Sequence, residues 1–108
     1  MLAAILESGE PERLYSGLSL LVCTASAGEE VRALLGFGAL RAFNDPDREV
    51  DEPFARTLDE LRAAANELPN CRLWACSAAV EGTGLTFEAV TSMPAFLREV
   101  GGARLVFV

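Results

Sequence analysis

Residues 2–12 read LAAILESGEPE, and this stretch predicts how the fold begins. Leu2 to Leu6 form a short apolar run that is typical of a strand buried on both faces, and Ser8-Gly9 ends it. Residues 10–12, Glu-Pro-Glu, then carry the signals of a helix start, with proline in the first turn and acids beside the positive end of the helix. A buried strand followed at once by a helix indicates the first half of a strand-helix-strand unit.

The rest of the chain continues this alternation. Apolar positions at helical spacing predict helices from residue 10 to about 27, from 53 to 68 and from 94 to about 100. Apolar runs predict strands at residues 31–37, 71–76 and 104–108, a short strand at 90–93, and helical turns at 40–43, 78–81 and 86–89. This order predicts a flavodoxin-like three-layer α/β/α sandwich with a mainly parallel sheet of four to five strands.

Length and composition limit the possible functions. The 108 residues fit one domain, residues 1–108, and the net charge of −7 argues against nucleic acid as a partner. The basic residues are all arginine, so the chain has neither lysine nor histidine. A histidine general base, a Ser-His-Asp triad, a histidine-ligated metal and a catalytic or phosphate-binding lysine are therefore excluded within one chain.

The cysteines and the apolar runs indicate a compartment. Three cysteines, an odd number, fit a reducing environment better than a disulfide framework. The apolar start at Met1 to Leu6 has no basic segment before it, and no apolar run reaches the roughly 18 residues of a membrane span. We therefore expect a cytoplasmic protein without a membrane partner.

The carboxyl ends of the predicted strands define the expected site. In open parallel sheets, ligands bind beyond that edge. Cys76 ends the third strand, and Ser77 stands as the expected cap of the helix that follows, so the first amides of this helix should lower the pKa of the thiol. The residues placed at this edge are Ser8, Gly9, Phe37, Gly38, Cys76 and Ser77.

Each cysteine also has a packing interpretation, because free cysteine is among the residues most often buried. Cys71 lies five positions before Cys76, which puts their side chains on opposite faces of the strand and makes a disulfide between them unlikely. We interpret Cys71 and Cys23 as packing residues and Trp74 as part of the core or of a subunit interface. For Cys76, packing and chemistry both remain open at this point.

Two further patterns predict no cofactor and no metal. Asp45, Asp47, Glu49 and Asp51 alternate as in a calcium loop, but Val50 stands where the calcium loop of an EF-hand needs glycine, so we expect a solvated loop. The chain contains neither a Cys-x-x-Cys pair nor a complete G-x-G-x-x-G fingerprint.

Several segments together resemble the DsrE/DsrF-like family of sulfur-relay proteins. The most specific is an Ala-Cys-Ser element at a strand end, with Gly-Leu about eight residues on. The segments that carry the resemblance are Ser8-Gly9, residues 12–18 (ERLYSGL), 30–32 (EVR), 71–77 (CRLWACS), Gly84-Leu85 and 95–97 (AFL). The segment between Gly84 and Phe96 is short for the family, and the lysines and histidines often seen around its site are missing.

The resemblance implies a function and an assembly. Several members of the family carry sulfur as a cysteine persulfide, and the cysteine they use corresponds to Cys76 here. It implies a homotrimer or homohexamer, a sulfur donor or acceptor protein as partner, and no cofactor. Two alternatives stay open: an assembly module without chemistry, and a binder of a small anionic ligand at helix N-termini on the sheet edge.

Overall fold

A computed structural model describes residues 1–45 and 50–108, and the chain alternates between strand and helix through these residues. The strands are β1 (Leu2–Leu6), β2 (Val31–Leu35), β3 (Cys71–Cys76), β4 (Val90–Thr91) and β5 (Arg104–Phe107). The helices are α1 (Pro11–Ser26), α2 (Phe37–Asn44), α3 (Glu52–Glu67), α4 (Ser77–Thr83) and α5 (Met93–Glu99). None of the described helices combines the length and apolar content needed to cross a membrane.

The described strands lie parallel in one sheet, in the order β4-β3-β2-β1-β5. The chain advances from β1 to β4 in one direction and then returns to place β5 on the outer side of β1. Helices on both faces complete the layers, which confirms the predicted flavodoxin-like α/β/α sandwich. The strand order differs from the 2-1-3-4-5 order of flavodoxin, because here β5 rather than β2 flanks β1 on its outer side.

Two apolar clusters, one on each face of the sheet, form the core. Alternate strand residues point to opposite faces, so Ala4 packs with Leu18 and Leu58 under α1 and α3, which we call the α1/α3 face. Ile5 packs in the cluster that contains Phe96 of α5, which we call the α5 face. The two helices of the α1/α3 face have 16 residues each, whereas α5 has 7. Leu40 of α2 and Ala79 of α4 also belong to this cluster, so the α5 face is covered by helices of only 7 to 8 residues.

The second strand ends earlier than the sequence predicts. Gly36 is already the N-cap of α2, and Phe37 is its first residue. The amide of Gly36 donates to the carbonyl of Leu6 at 2.7 Å, and the amide of Ala39 donates to the carbonyl of Glu7 at 3.1 Å. The first of these is the last ladder bond between β1 and β2, and the second joins the first turn of α2 to the residue after β1, so the chain leaves the sheet after Gly36. The expectation of a strand through Phe37 is therefore wrong, because an apolar run alone cannot separate a strand from the helix that follows it.

Helix α4 is also longer than predicted. Ser77 is its first residue and Cys76 its N-cap, so Ser77 does not cap the helix as expected. The helix passes through Gly82 and ends at Gly84, whose φ of 72° is the left-handed conformation typical of a helix end.

Residues 86–89 form no helical turn, which corrects a second prediction. The amide of Ala75 donates to the carbonyl of Ala89 at 2.8 Å, so Ala89 bonds to β3 directly before β4 begins. In the acidic segment, Asp51 is the N-cap of α3. Asp47 and Glu49 lie outside the described residues, so the structure leaves the solvated-loop prediction for them untested.

Candidate functional site at the carboxyl edge of the sheet

The ends of β1 and β2 meet in a close backbone contact between Gly9 and Gly38. A Cβ atom on Gly9 would lie 2.5 Å from the carbonyl oxygen of Gly38, and one on Gly38 would lie 2.6 Å from the amide nitrogen of Gly9. The hydroxyl of Ser8 accepts a hydrogen bond from the amide of Glu10 at 3.0 Å, which holds the turn between β1 and α1. The structure therefore brings three of the predicted site residues together.

Carboxylate side chains lie at the helix N-termini where a binder of a small anionic ligand would hold that ligand. Glu10 caps α1, and its side chain accepts hydrogen bonds from the amides of Glu12 and Arg13 at 3.3 and 3.0 Å. The side chain of Glu7 lies against Gly36, since a Cβ there would be 2.7 Å from the Cγ of Glu7. Because Glu10 already accepts from two amides of α1 and Glu7 lies beside the N-cap of α2, the N-termini of these two helices disfavour an anion.

Phe37 connects the end of β2 with α4. It is the first residue of α2 and is exposed, and its ring lies beside Gly82, where a Cβ would approach the ring carbon Cε1 to 3.1 Å. Ser77, the first residue of α4, is half-buried. Ser77 thus directly follows Cys76, whereas Phe37 follows the end of β2 and lies against the last turn of α4.

Cys76 lies at that junction, and its side chain points into the core. Only 9% of the residue is exposed, and it packs in the apolar cluster that contains Leu40 of α2, Ala79 of α4 and Phe96 of α5. It stands opposite Thr91 in the pairing of β3 with β4. Among the described residues, its side chain makes no cap hydrogen bond to the amides of α4, which departs from the arrangement that the sequence predicts.

The predicted site residues thus form two groups on one edge of the sheet. One group is the turn at Ser8, Gly9 and Gly38, and the other is Cys76 with Ser77. Because β2 lies between β1 and β3, the carboxyl ends of β1 and β3 are separated by two strand spacings, about 10 Å.

The other cysteines lie away from this edge. Cys71 belongs to the cluster of the α1/α3 face, so the prediction that Cys71 and Cys76 point to opposite faces is confirmed. Burial raises the pKa of the Cys71 thiol to about 11, and the nearby Arg32 only partly offsets this. Cys23 is exposed, so its interpretation as a packing residue is wrong. It follows Leu21 by two positions, about 200° around the helix, and therefore lies opposite the buried stripe.

Sequence reasoning missed the residues that cover Cys76. Phe96 is 1% exposed and also packs edge-on against Trp74, with 6.1 Å between the ring centres. Trp74 is half-buried, and the guanidinium carbon of Arg72 lies 5.9 Å from the centre of its ring. The alternation of side chains in β3 places Trp74 and Cys76 on one face of the sheet. This pattern alone predicts that Trp74 is a neighbour of Cys76. No local sequence pattern predicts that α5 packs on that face of the sheet.

No protein-family model matches this chain, and no curated protein sequence matches it. Membership of the DsrE/DsrF-like family therefore stays a prediction from the sequence. The chemistry open to the chain has to be inferred from the side chains at the carboxyl edge of the sheet.

Proposed function

We propose that this chain is a small sulfur-relay-like protein that carries sulfane sulfur as a persulfide on Cys76. The observation that carries this proposal is the position of Cys76: it ends a central strand of a parallel sheet and precedes a helix, at the edge where such sheets place their sites. The residue is 9% exposed. Membership of the DsrE/DsrF-like family, as the Ala-Cys-Ser element predicts, is part of the proposal.

The other two cysteines are poorer candidates. Cys71 lies on the opposite face of the sheet, and with a pKa of about 11 its thiol is almost fully protonated near neutral pH. Cys23 is exposed on the outer side of α1, away from the carboxyl ends of the strands. All three cysteines are free, as a reducing compartment such as the cytoplasm would keep them.

The proposed step is a transfer of sulfur between thiols. The thiolate of Cys76 attacks the outer sulfur of a donor persulfide or polysulfide, a new S–S bond forms on Cys76, and the S–S bond of the donor breaks. The donor leaves as a thiolate and takes up a proton. The thiolate of an acceptor protein then attacks the outer sulfur of the Cys76 persulfide, and the S–S bond to Cys76 breaks. Cys76 leaves as a thiolate and the sulfane sulfur stays on the acceptor, so neither step needs a cofactor.

Access to Cys76 requires local movement, because the residue is nearly buried. The cover on its face includes the short helix α5 through Phe96, and α2 through Leu40. A donor or acceptor protein that displaces α5 would expose the sulfur. This requirement couples sulfur transfer to partner binding and protects the persulfide from solvent between transfers.

Intact-mass spectrometry after treatment with a polysulfide tests the proposal. We expect a gain of one sulfur atom in the wild type, in Cys23→Ser and in Cys71→Ser, but not in Cys76→Ser. The two other serine variants are matched controls for the substitution itself. A gain that persists in Cys76→Ser, or that disappears only in Cys23→Ser, would contradict the proposal.

A second candidate function is an assembly module without chemistry, which the exposed apolar side chains favour. Leu97, Leu105 and Phe107 are large and exposed, and a partner or further copies, as a homotrimer or homohexamer, would cover them. In this case Cys76→Ser would leave both assembly and the protein's role in the cell unchanged. Mass-resolved measurement of the assembly of Cys76→Ser, together with the sulfur assay, separates the two functions.

A further inference from the structure

The strand β5 presents unused hydrogen-bonding groups at one edge of the sheet. The amide of Val108 donates to the carbonyl of Ile5 in β1 at 2.9 Å, and the amide of Arg104 donates to the carbonyl of Met1, directly before β1, at 3.1 Å. Because backbone groups alternate in direction along a strand, the amides and carbonyls of Leu105 and Phe107 point outward. No described residue pairs with that outer side.

The same two residues expose large apolar side chains. Leu105 is 53% exposed and Phe107 is 65% exposed. They pair in register with Ala3 and Ile5, which belong to the cluster of the α5 face, so both side chains lie on that face. Edge strands that stay unpaired are usually very short or carry charged residues, proline or a bulge. The strand β5 has 4 residues, of which only Arg104 is charged, and it contains no proline.

The opposite side of β5 borders a groove whose charged lining residues are two glutamates and one arginine. Arg104 and Val108 share the α1/α3 face with Val106, because residues two apart on a strand point the same way. Arg104 pairs with Glu29, which holds the pKa of that carboxyl below its usual range, yet most of the arginine side chain is exposed. The groove is lined by Glu10, Glu12, Arg13, Ser16, Phe107 and Val108.

We propose that two copies of this chain pair antiparallel along β5, about a two-fold axis at Val106, and join their sheets into one. In this register Leu105 of each copy stands opposite Phe107 of the other. Each such pair exchanges two backbone hydrogen bonds, so all the outward groups of both residues are satisfied. The two leucines and two phenylalanines then cover one another on the α5 face.

Charge complementarity favours a second copy as the partner. With Val106 at the centre, Arg104 of one copy lies opposite Val108 of the other, on the face that carries the groove. Its guanidinium, which bonds to Glu29 of its own chain, keeps an exposed side toward the groove of the other copy. There it meets Glu10 and Glu12, with Arg13 as the opposing charge among the described lining residues. The two-fold axis makes this contact twice. It also offsets part of the repulsion between two chains that each carry a net charge of −7.

The pairing closes after two copies. A two-fold contact uses the same surface of both chains, so β5 is fully occupied in the dimer. The opposite edge of the sheet is β4, which has 2 residues and offers too short a strand to propagate the sheet. This inference concerns the edge opposite to β4 and is independent of whether Cys76 carries sulfur.

Disulfide trapping tests the register. Residue 106 of each copy would face its counterpart in a non-hydrogen-bonded pair with Cα atoms about 4.5 Å apart, within the range that a disulfide spans. In a Cys23→Ser background, we expect Val106→Cys to cross-link into a dimer on mild oxidation. Leu105→Cys is the control, because two copies of residue 105 lie diagonally, about 7 to 8 Å apart, and should cross-link poorly. Equal cross-linking of both variants would overturn the register.

Sedimentation over a dilution series tests the surface itself. We expect the wild type to form a dimer. We expect Phe107→Lys to raise the Kd of this dimer at least tenfold. Val90→Lys on β4 is the matched control, since Val90 is also exposed at an edge and receives the same charge. A hexamer that Phe107→Lys reduces to a trimer also supports the pairing. A wild-type monomer, a wild-type trimer, or a dimer that both variants leave intact overturns it, and circular dichroism checks that each variant is folded.

Discussion

At the scale of single residues, Cys71 links burial to the pH dependence of stability. Its pKa is about 11 in the folded protein against an ordinary value of 9.0, and the first cause is burial. The folded state therefore holds the proton more tightly than the unfolded state does. The resulting stabilisation is fully present below pH 9 and is lost as the pH rises from 9 through 11.

We predict that the free energy of unfolding falls by about 2 kcal/mol between pH 9 and pH 11 because of Cys71. Because the chain has no lysine, few other groups titrate between pH 9 and pH 11. Urea unfolding at several pH values measures the fall. Cys71→Ala is the control and should show a much flatter dependence over that range; an equally steep fall in this variant would assign the effect to another group.

Gly9 shows how a single missing side chain allows two connections to meet. A Cβ at this position would overlap the carbonyl oxygen of Gly38 at 2.5 Å, so the backbones of the β1–α1 and β2–α2 connections would have to separate. We predict that Gly9→Ala lowers the free energy of unfolding by about 1 to 3 kcal/mol, as overpacking does in a tight interior. Thermal unfolding with calorimetry measures it.

Gly101→Ala is the matched control for Gly9→Ala. The nearest atom to a Cβ at Gly101 is the carbonyl oxygen of Arg98 at 3.5 Å, an ordinary contact. This variant should be neutral or slightly stabilising, because alanine reduces the entropy of the unfolded chain. Equal losses of stability in both variants would show that the close approach of Gly9 to Gly38 is not the cause.

At the scale of elements, Asn70 ties α1 to the start of β2. Its side-chain amide donates hydrogen bonds to the carbonyls of Ala25 and Glu29 at 2.8 and 2.9 Å. These carbonyls belong to the end of α1 and to the segment after it. In the described residues, no other side chain donates a hydrogen bond to them. The sequence indicates Pro69-Asn70 only as a helix stop, because the partners lie more than 40 residues away.

We predict that Asn70→Asp lowers the free energy of unfolding by about 2 kcal/mol at neutral pH, because a carboxylate replaces two donors beside two carbonyl oxygens. Chemical denaturation measures the change. Asn66→Asp adds the same charge on the exposed side of α3 and should change stability by less than about 0.5 kcal/mol. If both variants lose the same stability, added charge rather than the lost hydrogen bonds is responsible.

The elements also show where prediction from sequence succeeds. The bounds of β1 and β3 follow from apolar runs closed by turn residues, and α1 and α3 follow from their buried stripes. The prediction is wrong where an element depends on contacts made far away in sequence. Ala39, in the first turn of α2, bonds to Glu7 beyond the end of β1, and Ala89 accepts a hydrogen bond from Ala75 of β3.

At the scale of the whole molecule, the fold class was predictable and the surroundings of Cys76 were not. Strand-helix alternation suffices for a parallel three-layer sandwich, and strand parity places Cys71 and Cys76 on opposite faces. The return of the chain from β4 to β5 decides which helix covers Cys76. That return depends on the strand order, which no local pattern encodes. The burial of Cys76 under Phe96 is therefore a tertiary property.

The unequal cover of the two faces predicts how Cys76 reacts. Because α5 is one short helix held largely by Phe96, we expect it to open locally more often than the whole molecule unfolds. Phe96→Leu should then raise the alkylation rate of Cys76, followed by peptide mass spectrometry, about tenfold for each 1.4 kcal/mol of docking energy lost. Leu21→Val, a comparable loss on the α1/α3 face, should raise it less than about twofold if opening is confined to the α5 face. If both variants have the same global stability and raise the alkylation rate equally, Cys76 reacts only through complete unfolding. A partner protein would then have to expose Cys76 by a route other than displacement of α5.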